Sequence, residues 1–231
     1  MKTIFKSTLK EFIKTPIALF FCFVPAIIAL IIMIVFKIKN NLNFATLMIS
    51  FEIFYITSLC LNGLCHHHYM RKQNNELKNI SLCNISIPKY IIAIISLYYF
   101  LFFIVFVIVS IVFIILGWLT LIAFFYCFLA SIVSFIFIGS IAFLITSYAK
   151  NIKSLSSISF IVFILICVLI YFRLGNNNYL KTILEVLPIS SICYFFNNVV
   201  ANANFNYLAF IFMNVYLIVF FVLTTKYFNW I

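Results

Sequence analysis

Polar and apolar residues along this chain are sorted into long blocks rather than alternated. Apolar runs cover 17–36, 43–64, 90–116, 120–149, 154–172 and 207–228, and short polar stretches separate them. Each run reaches or exceeds the roughly 17–25 residues that a helix rising about 1.5 Å per residue needs to cross about 30 Å of hydrocarbon. In lipid only helices and closed barrels satisfy the backbone, and unbroken apolar runs without a two-residue alternation are helical. The pattern predicts an all-α polytopic membrane protein with six transmembrane helices, built as one domain over residues 1–231. A composition that is 67% hydrophobic and 8% charged excludes a soluble globule, which could not hide that much apolar surface at this size.

The segments between the runs differ in kind. In residues 1–15, lysines recur at 2, 6, 10 and 14, while Phe5, Leu9, Phe12 and Ile13 repeat at helical spacing, and Pro16 follows. Wound as a helix, this places a basic stripe beside an apolar face. Two readings are open: a helix lying in the headgroup plane of an anionic leaflet, or a basic cap that only sets topology. The stretch 65–89 is the longest polar interruption, with four basic residues, Glu76, two Asn-rich patches and Pro88, and it predicts a short structure outside the membrane. The connections at 37–42 and around Gly117 and Trp118 are brief, and Trp118 suits an interfacial anchor. The basic turn at 150–153 predicts an antiparallel hairpin of the fourth and fifth spans. The stretch 174–206 is harder to assign. Gly175 to Asn178 forms a break, 179–187 reads as a short helix interrupted by Pro188, and 189–200 is apolar but too short to cross. It reads either as a re-entrant hairpin dipping into the outer leaflet or as a folded external loop lying on the membrane.

Charge orients the bundle. Lys2, Lys6, Lys10, Lys14, Arg71, Lys72, Lys78, Lys89, Lys150, Lys153 and Lys226 fall on one side, against Lys37, Lys39, Arg173 and Lys181 on the other. The positive-inside bias then places both termini and the 65–89 segment in the cytoplasm. With no basic face away from the membrane ends, the net charge of +11 is not a nucleic-acid footprint. The first apolar run is long enough to span and has no small-residue cleavage site after it, so it is expected to stay as the first helix. The seven cysteines match neither a disulfide framework nor a Cys-x-x-Cys metal pattern.

Candidate chemistry is sparse. Glu52 is the one ionisable residue deep within a predicted span, with Tyr55 one turn away. A charge there costs about 2.5–3.5 kcal/mol on insertion scales, so it faces a protein interior or a water path. A translocation-path role and a neutral, hydrogen-bonded structural role are both open. The run His66, His67, His68 points in several directions on a helix, which makes a poor tetrahedral metal site and reads as a polar cap. Signatures of P-loop, zincin and nucleophile-elbow enzymes are missing, and four glycines cannot build a phosphate cradle.

The order of features resembles the transmembrane subunits of ABC-2 type (type V exporter-like) transporters. The stretch from Arg71 to Leu77, then Leu82, then Ser86 to Ile91, is similar to that family's coupling segment. The stretch from Ala142 to Lys150 is similar to its fourth-span end, Leu187-Pro188-Ile189-Ser190 to its external leucine–proline step, and Lys226 to Trp230 to its C-terminal signature. Asn74 and Asn75 stand where the family usually has Gly, and a proline common near 84–85 is missing. The resemblance implies an N-terminal interfacial helix, six spans, a cytoplasmic coupling helix at 65–89 and an external re-entrant segment at 174–206. It implies a non-enzymatic permease subunit in a bacterial cell membrane, paired with a second permease, identical or paralogous, and driven by a separate ABC ATPase. ATP and magnesium would be bound by that partner and no cofactor by this chain. Arg71, Glu76, Leu77 and Leu82 would dock the ATPase, Glu52 and Tyr55 would face the path, and Pro188 would break the re-entrant segment. Small permeases of this kind are associated with export of antimicrobial or amphipathic peptides, or with immunity to them. The alternatives are a non-transporting immunity or assembly protein and an ion-coupled secondary carrier.

Overall fold

The computed structural model describes residues 9–10, 24–28, 30–31, 33–35, 44–83, 85–174, 186–202 and 206–228. Among them every regular element is helical: α1 (Phe44–Ser58), a π-helical segment (Leu59–Leu64), α2 (Cys65–Gln73), α3 (Glu76–Leu82), α4 (Ile87–Ile115), α5 (Leu121–Tyr148), α6 (Ile152–Leu174), α7 (Ser190–Asn202) and α8 (Tyr207–Tyr227). Five helical stretches are long and apolar enough to cross a membrane: Leu47–Gln73, Ile87–Ile115, Leu121–Tyr148, Ile152–Leu169 and Tyr207–Tyr227. They match five of the six predicted spans, and the chain is an all-helical polytopic membrane protein. The predicted first span at 17–36 and the interfacial helix at 1–15 lie largely outside the described residues.

The helix starts follow from local chemistry. Thr120 accepts from the Ala123 amide at 3.2 Å and Asn206 from the Ala209 amide at 3.0 Å, each satisfying an amide with no partner inside its helix. Pro88 sits in the first turn of α4, where its missing N–H costs nothing. Gly117 turns the chain between α4 and α5 with φ +71°, a conformation glycine takes without strain.

Packing centres on two elements. In the most apolar 18-residue window of the 47–73 stretch 89% of residues are buried, whereas the corresponding windows in α6 and α8 have 17% buried and present Phe160, Ile161, Ile211 and Ile218 outward, as lipid-facing helices do. Helix α5 touches α1, the π segment, α2, α4, α6, α7 and α8. Its buried face is rich in small residues, among them Ala123, Cys127, Ala130, Ser131, Ser134, Gly139 and Ala142. Small side chains let helix backbones approach closely, which is how helices associate where lipid removes the hydrophobic drive between them. At Gly139 a Cβ would stand 3.1 Å from the Ile95 side chain on α4. Across the bundle the Thr224 hydroxyl lies 3.0 Å from the Ser140 carbonyl and 2.6 Å from that of Phe220.

One end of the bundle gathers α2, α3 and the α5–α6 turn, around a ring cluster of His68, Tyr90, Phe143 and Phe228. Of the described basic residues, Arg71, Lys72, Lys78, Lys89, Lys150, Lys153 and Lys226 belong to the elements meeting here. The opposite end carries the Phe44, Phe113 and Trp118 cluster, with Trp118 at the turn where it was expected. There Pro188 precedes Ile189, a buried β-branched residue held at φ +67°, a strained conformation outside glycine. Helix α7 follows. At 13 residues it spans only about 20 Å, too short to cross. Residues 189–196 are all buried and α7 packs on α1, α5, α6 and α8, so it is embedded in the bundle rather than lying loose beside it. The first limb expected for a re-entrant hairpin, 179–187, falls mostly outside the described residues.

Candidate functional site

Three places gather polar groups. The deepest surrounds Glu52, which is completely buried. The Cys127 thiol of α5 lies beside its carboxyl without meeting the geometry of a hydrogen bond, and neither Glu52 oxygen has a hydrogen-bond partner among the described residues. Tyr99 of α4 is close enough to feel the same carboxyl, and its hydroxyl lies 3.3 Å from Ser131 Oγ. Ser131 and Ser134 follow Cys127 by four and seven residues, which sets all three on one face of α5. Ser134 Oγ is buried and has no hydrogen-bond partner among the described residues. Tyr55 is buried and packs on Phe51 and on Phe102, whose ring also meets Tyr99. The sequence singled out Glu52 and Tyr55. Cys127, Tyr99, Ser131 and Ser134 were not visible in it, because a lone Cys or Ser within an apolar run carries no directional signal.

The second place is the polar interruption at 65–89, where the structure differs most from expectation. The span containing Glu52 does not end at Leu64; it continues helically through the histidines to Gln73. The histidines hold it to α4, with His67 Nδ1 3.1 Å from the Tyr98 hydroxyl and His68 Nδ1 3.1 Å from that of Tyr90. Tyr69 donates its hydroxyl to the Lys150 carbonyl at 3.4 Å and receives the Gln73 amide at 3.2 Å, which ties α2 to the α5–α6 turn. Asn75 then reverses the chain at φ +58°. Asn is the residue that best replaces Gly in this left-handed conformation, so Asn at a position where the resembled family has Gly fits the backbone.

Helix α3 follows, with Arg71 Nε 3.6 Å from Glu76 Oε2. Arg71 is buried and Glu76 is partly exposed. Leu77, expected to face a partner, is fully buried in this chain's own core, so the docking role read for it fails on geometry. Leu82 is 74% exposed and, with Lys78 and Asn79, forms the outward face of α3. Leu77 is instead the foot that anchors the helix.

The third place is a groove of about 470 Å³ between the π-helical segment and the start of α6, lined by Asn62, His66, Ser156, Ser157, Ser159 and Phe160 among others. Nothing in the sequence marked it. Among the described residues no three His, Cys, Asp or Glu side chains gather where they could hold a metal. Comparison with protein-family models, curated proteins and solved structures gives no match to this chain.

Proposed function

We propose that this chain is the permease subunit of an ATP-driven exporter of the ABC-2 type, in a bacterial cell membrane with both termini cytoplasmic. In this reading it has a sixth span at 17–36 and pairs with a second permease. A separate ATPase subunit drives it, and its cargo is an amphipathic or antimicrobial peptide, exported for release or for self-immunity. The observation that carries the reading is α3. It is a short helix between two spans, fixed by the buried Leu77 and by the Arg71–Glu76 pair, with Leu82 exposed on its outer face. A helix with a rigid foot and an apolar outward tip suits docking in a partner's groove, where a few apolar anchors supply most of the affinity. Because α2 runs on from the helix that carries Glu52, force applied at α3 has a direct route into the membrane interior.

The test is co-purification from native membranes with a nucleotide-binding ATPase, followed by hydrolysis assays in lipid nanodiscs. Leu82→Asp is expected to release the ATPase and abolish its coupled hydrolysis while the permease keeps its thermal stability. Losing an anchor of this type commonly costs about 2 kcal/mol or more, roughly thirtyfold in affinity. Leu77→Asp serves as the contrasting control and should fail to fold. If wild type never co-purifies with an ATPase, the exporter reading is wrong. The buried Glu52 carboxyl, without a hydrogen-bond partner among the described residues, supports a second reading, an ion-coupled carrier, which predicts transport that persists without ATP and is lost in Glu52→Gln.

A further inference from the structure

The groove beside the π-helical segment is lined by Asn62, His66 and three serines together with Leu61, Leu155 and Phe160. The π geometry, Leu59–Leu64, widens the helix locally, a feature that often accompanies functional sites. Gly63 faces the α4 side, where an added Cβ would stand 3.1 Å from the Tyr98 ring, and the neighbouring Asn62 lines the groove. From α6 come Ser156, Ser157 and Ser159. Ser159 is 4% exposed and lies against the Cys65 thiol, which donates to the Ala142 carbonyl at 3.3 Å; among the described residues the Ser159 Oγ meets no hydrogen-bond geometry. The side chains that open onto the groove are the exposed Ser156 and Ser157 and the half-buried Asn62, with Ser159 packed behind them.

Charge and polarity specify that ligand. The groove lies within the first turns of α6, next to the turn bearing Lys150 and Lys153, and α6 contains no acidic residue. Lys153 and Ser157 are four residues apart on one helix face. The positive end of the α6 dipole points the same way. Phe160 closes the groove on the membrane side and is 63% exposed, with Ile161 and Leu165 continuing an apolar outer face along α6. A ligand that fits is anionic at one end and apolar at the other, and lies parallel to a membrane helix.

From this we infer that the groove between the π-helical segment and the start of α6 binds an anionic phospholipid. The headgroup sits on Asn62, Ser156 and Ser157 beside Lys153, and the acyl chains run along Phe160 and the outer face of α6. The site stands independently of the transport reading. Its test is native mass spectrometry of the full chain in detergent, loaded with equal amounts of phosphatidylglycerol and phosphatidylcholine. Wild type should retain phosphatidylglycerol about twenty-five-fold in preference, since Lys150 and Lys153 each contribute roughly a factor of five near an anionic headgroup. Ser157→Phe, which fills the groove from an exposed position, and the double variant K150Q/K153Q, which leaves the groove open, should each remove most of that preference. If Ser157→Phe proves unstable, the lysine variant decides. Soluble glycerophosphate should not displace the lipid. Equal retention of the two lipids by wild type, an unchanged preference in K150Q/K153Q, or displacement by glycerophosphate would overturn the assignment.

Discussion

Replacing Glu52 by methionine should stabilise this protein while disabling it. Methionine is about a methylene larger than glutamate but unbranched and flexible enough to adapt to its space, so the exchange chiefly removes the polar group. In the native bundle the carboxyl is wholly buried, and both oxygens lack a hydrogen-bond partner among the described residues. A buried polar group without a partner costs about 1–3 kcal/mol, and measured polar contacts between membrane helices recover only about 0.6 kcal/mol on average. Removing it should therefore raise unfolding stability by about 1–3 kcal/mol. The assay is unfolding in mixed micelles, with wild type, Glu52→Met and Glu52→Gln compared by circular dichroism and the retained folded fraction. Glu52→Gln keeps shape and polarity and should fall near wild type. Transport in vesicles, measured on the same preparations, should be lost in Glu52→Met, because a costly intramembrane group persists where function uses it. Destabilisation of Glu52→Met by more than about 1 kcal/mol, with full activity in Glu52→Gln, would show instead that the carboxyl is partnered and structural.

Further outcomes follow from the same geometry. Gly63→Ala should destabilise by about 1–3 kcal/mol, because the Tyr98 ring 3.1 Å away is fully buried and its hydroxyl is held by His67; Tyr98→Leu should relieve part of that loss in a double-mutant cycle. Asn75→Gly should leave stability unchanged and Asn75→Val should cost about 1–2 kcal/mol, since a β-branched residue resists φ +58°; thermal melts of the two separate the backbone effect from any docking defect. Thr224→Val removes the hydroxyl shared between the Ser140 and Phe220 carbonyls and should lower stability by roughly 0.6 kcal/mol, read as a small shift in the unfolding midpoint.

Span positions were legible because the only signal they need is run length: four predicted runs fall on helices within a few residues, and the fifth, 43–64, starts where expected but runs on to Gln73. Helix ends were less so. The run from Cys65 to Gln73 looks like a loop because it is polar, yet it stays helical since His67 and His68 find hydroxyls on Tyr98 and Tyr90, residues about 20–30 positions away. Hydropathy cannot register partners that distant. Leu77 and Leu82 are equivalent as letters, and only the folding back of α3 on α2 decides that one is core and the other surface. The π-helical segment left no mark beyond a single glycine, and the groove beside it is made of serines that read as ordinary tolerated residues. Glu52 was legible as a site because an acid in hydrocarbon is expensive wherever it points. Its neighbours were not, because their role comes from the face of α5 they share.

The rod formed by α1, the π-helical segment and α2 has a mechanical consequence. Between Glu52 and Arg71 it covers 19 residues, about 28 Å at the helical rise, without a proline or a break in hydrogen bonding. Any displacement at the reversal by Asn75 therefore reaches the buried carboxyl through the π-helical segment that lies between them. The one compliant stretch is the π-helical segment, where the ladder is wider than in the flanking turns. If it rewinds to α-helical pitch, one residue of register is released and everything beyond it rotates by about 100°, enough to turn a side chain from one neighbouring helix toward the next. The molecule thus carries, in one continuous piece, both a pushrod and the clutch that can disengage it.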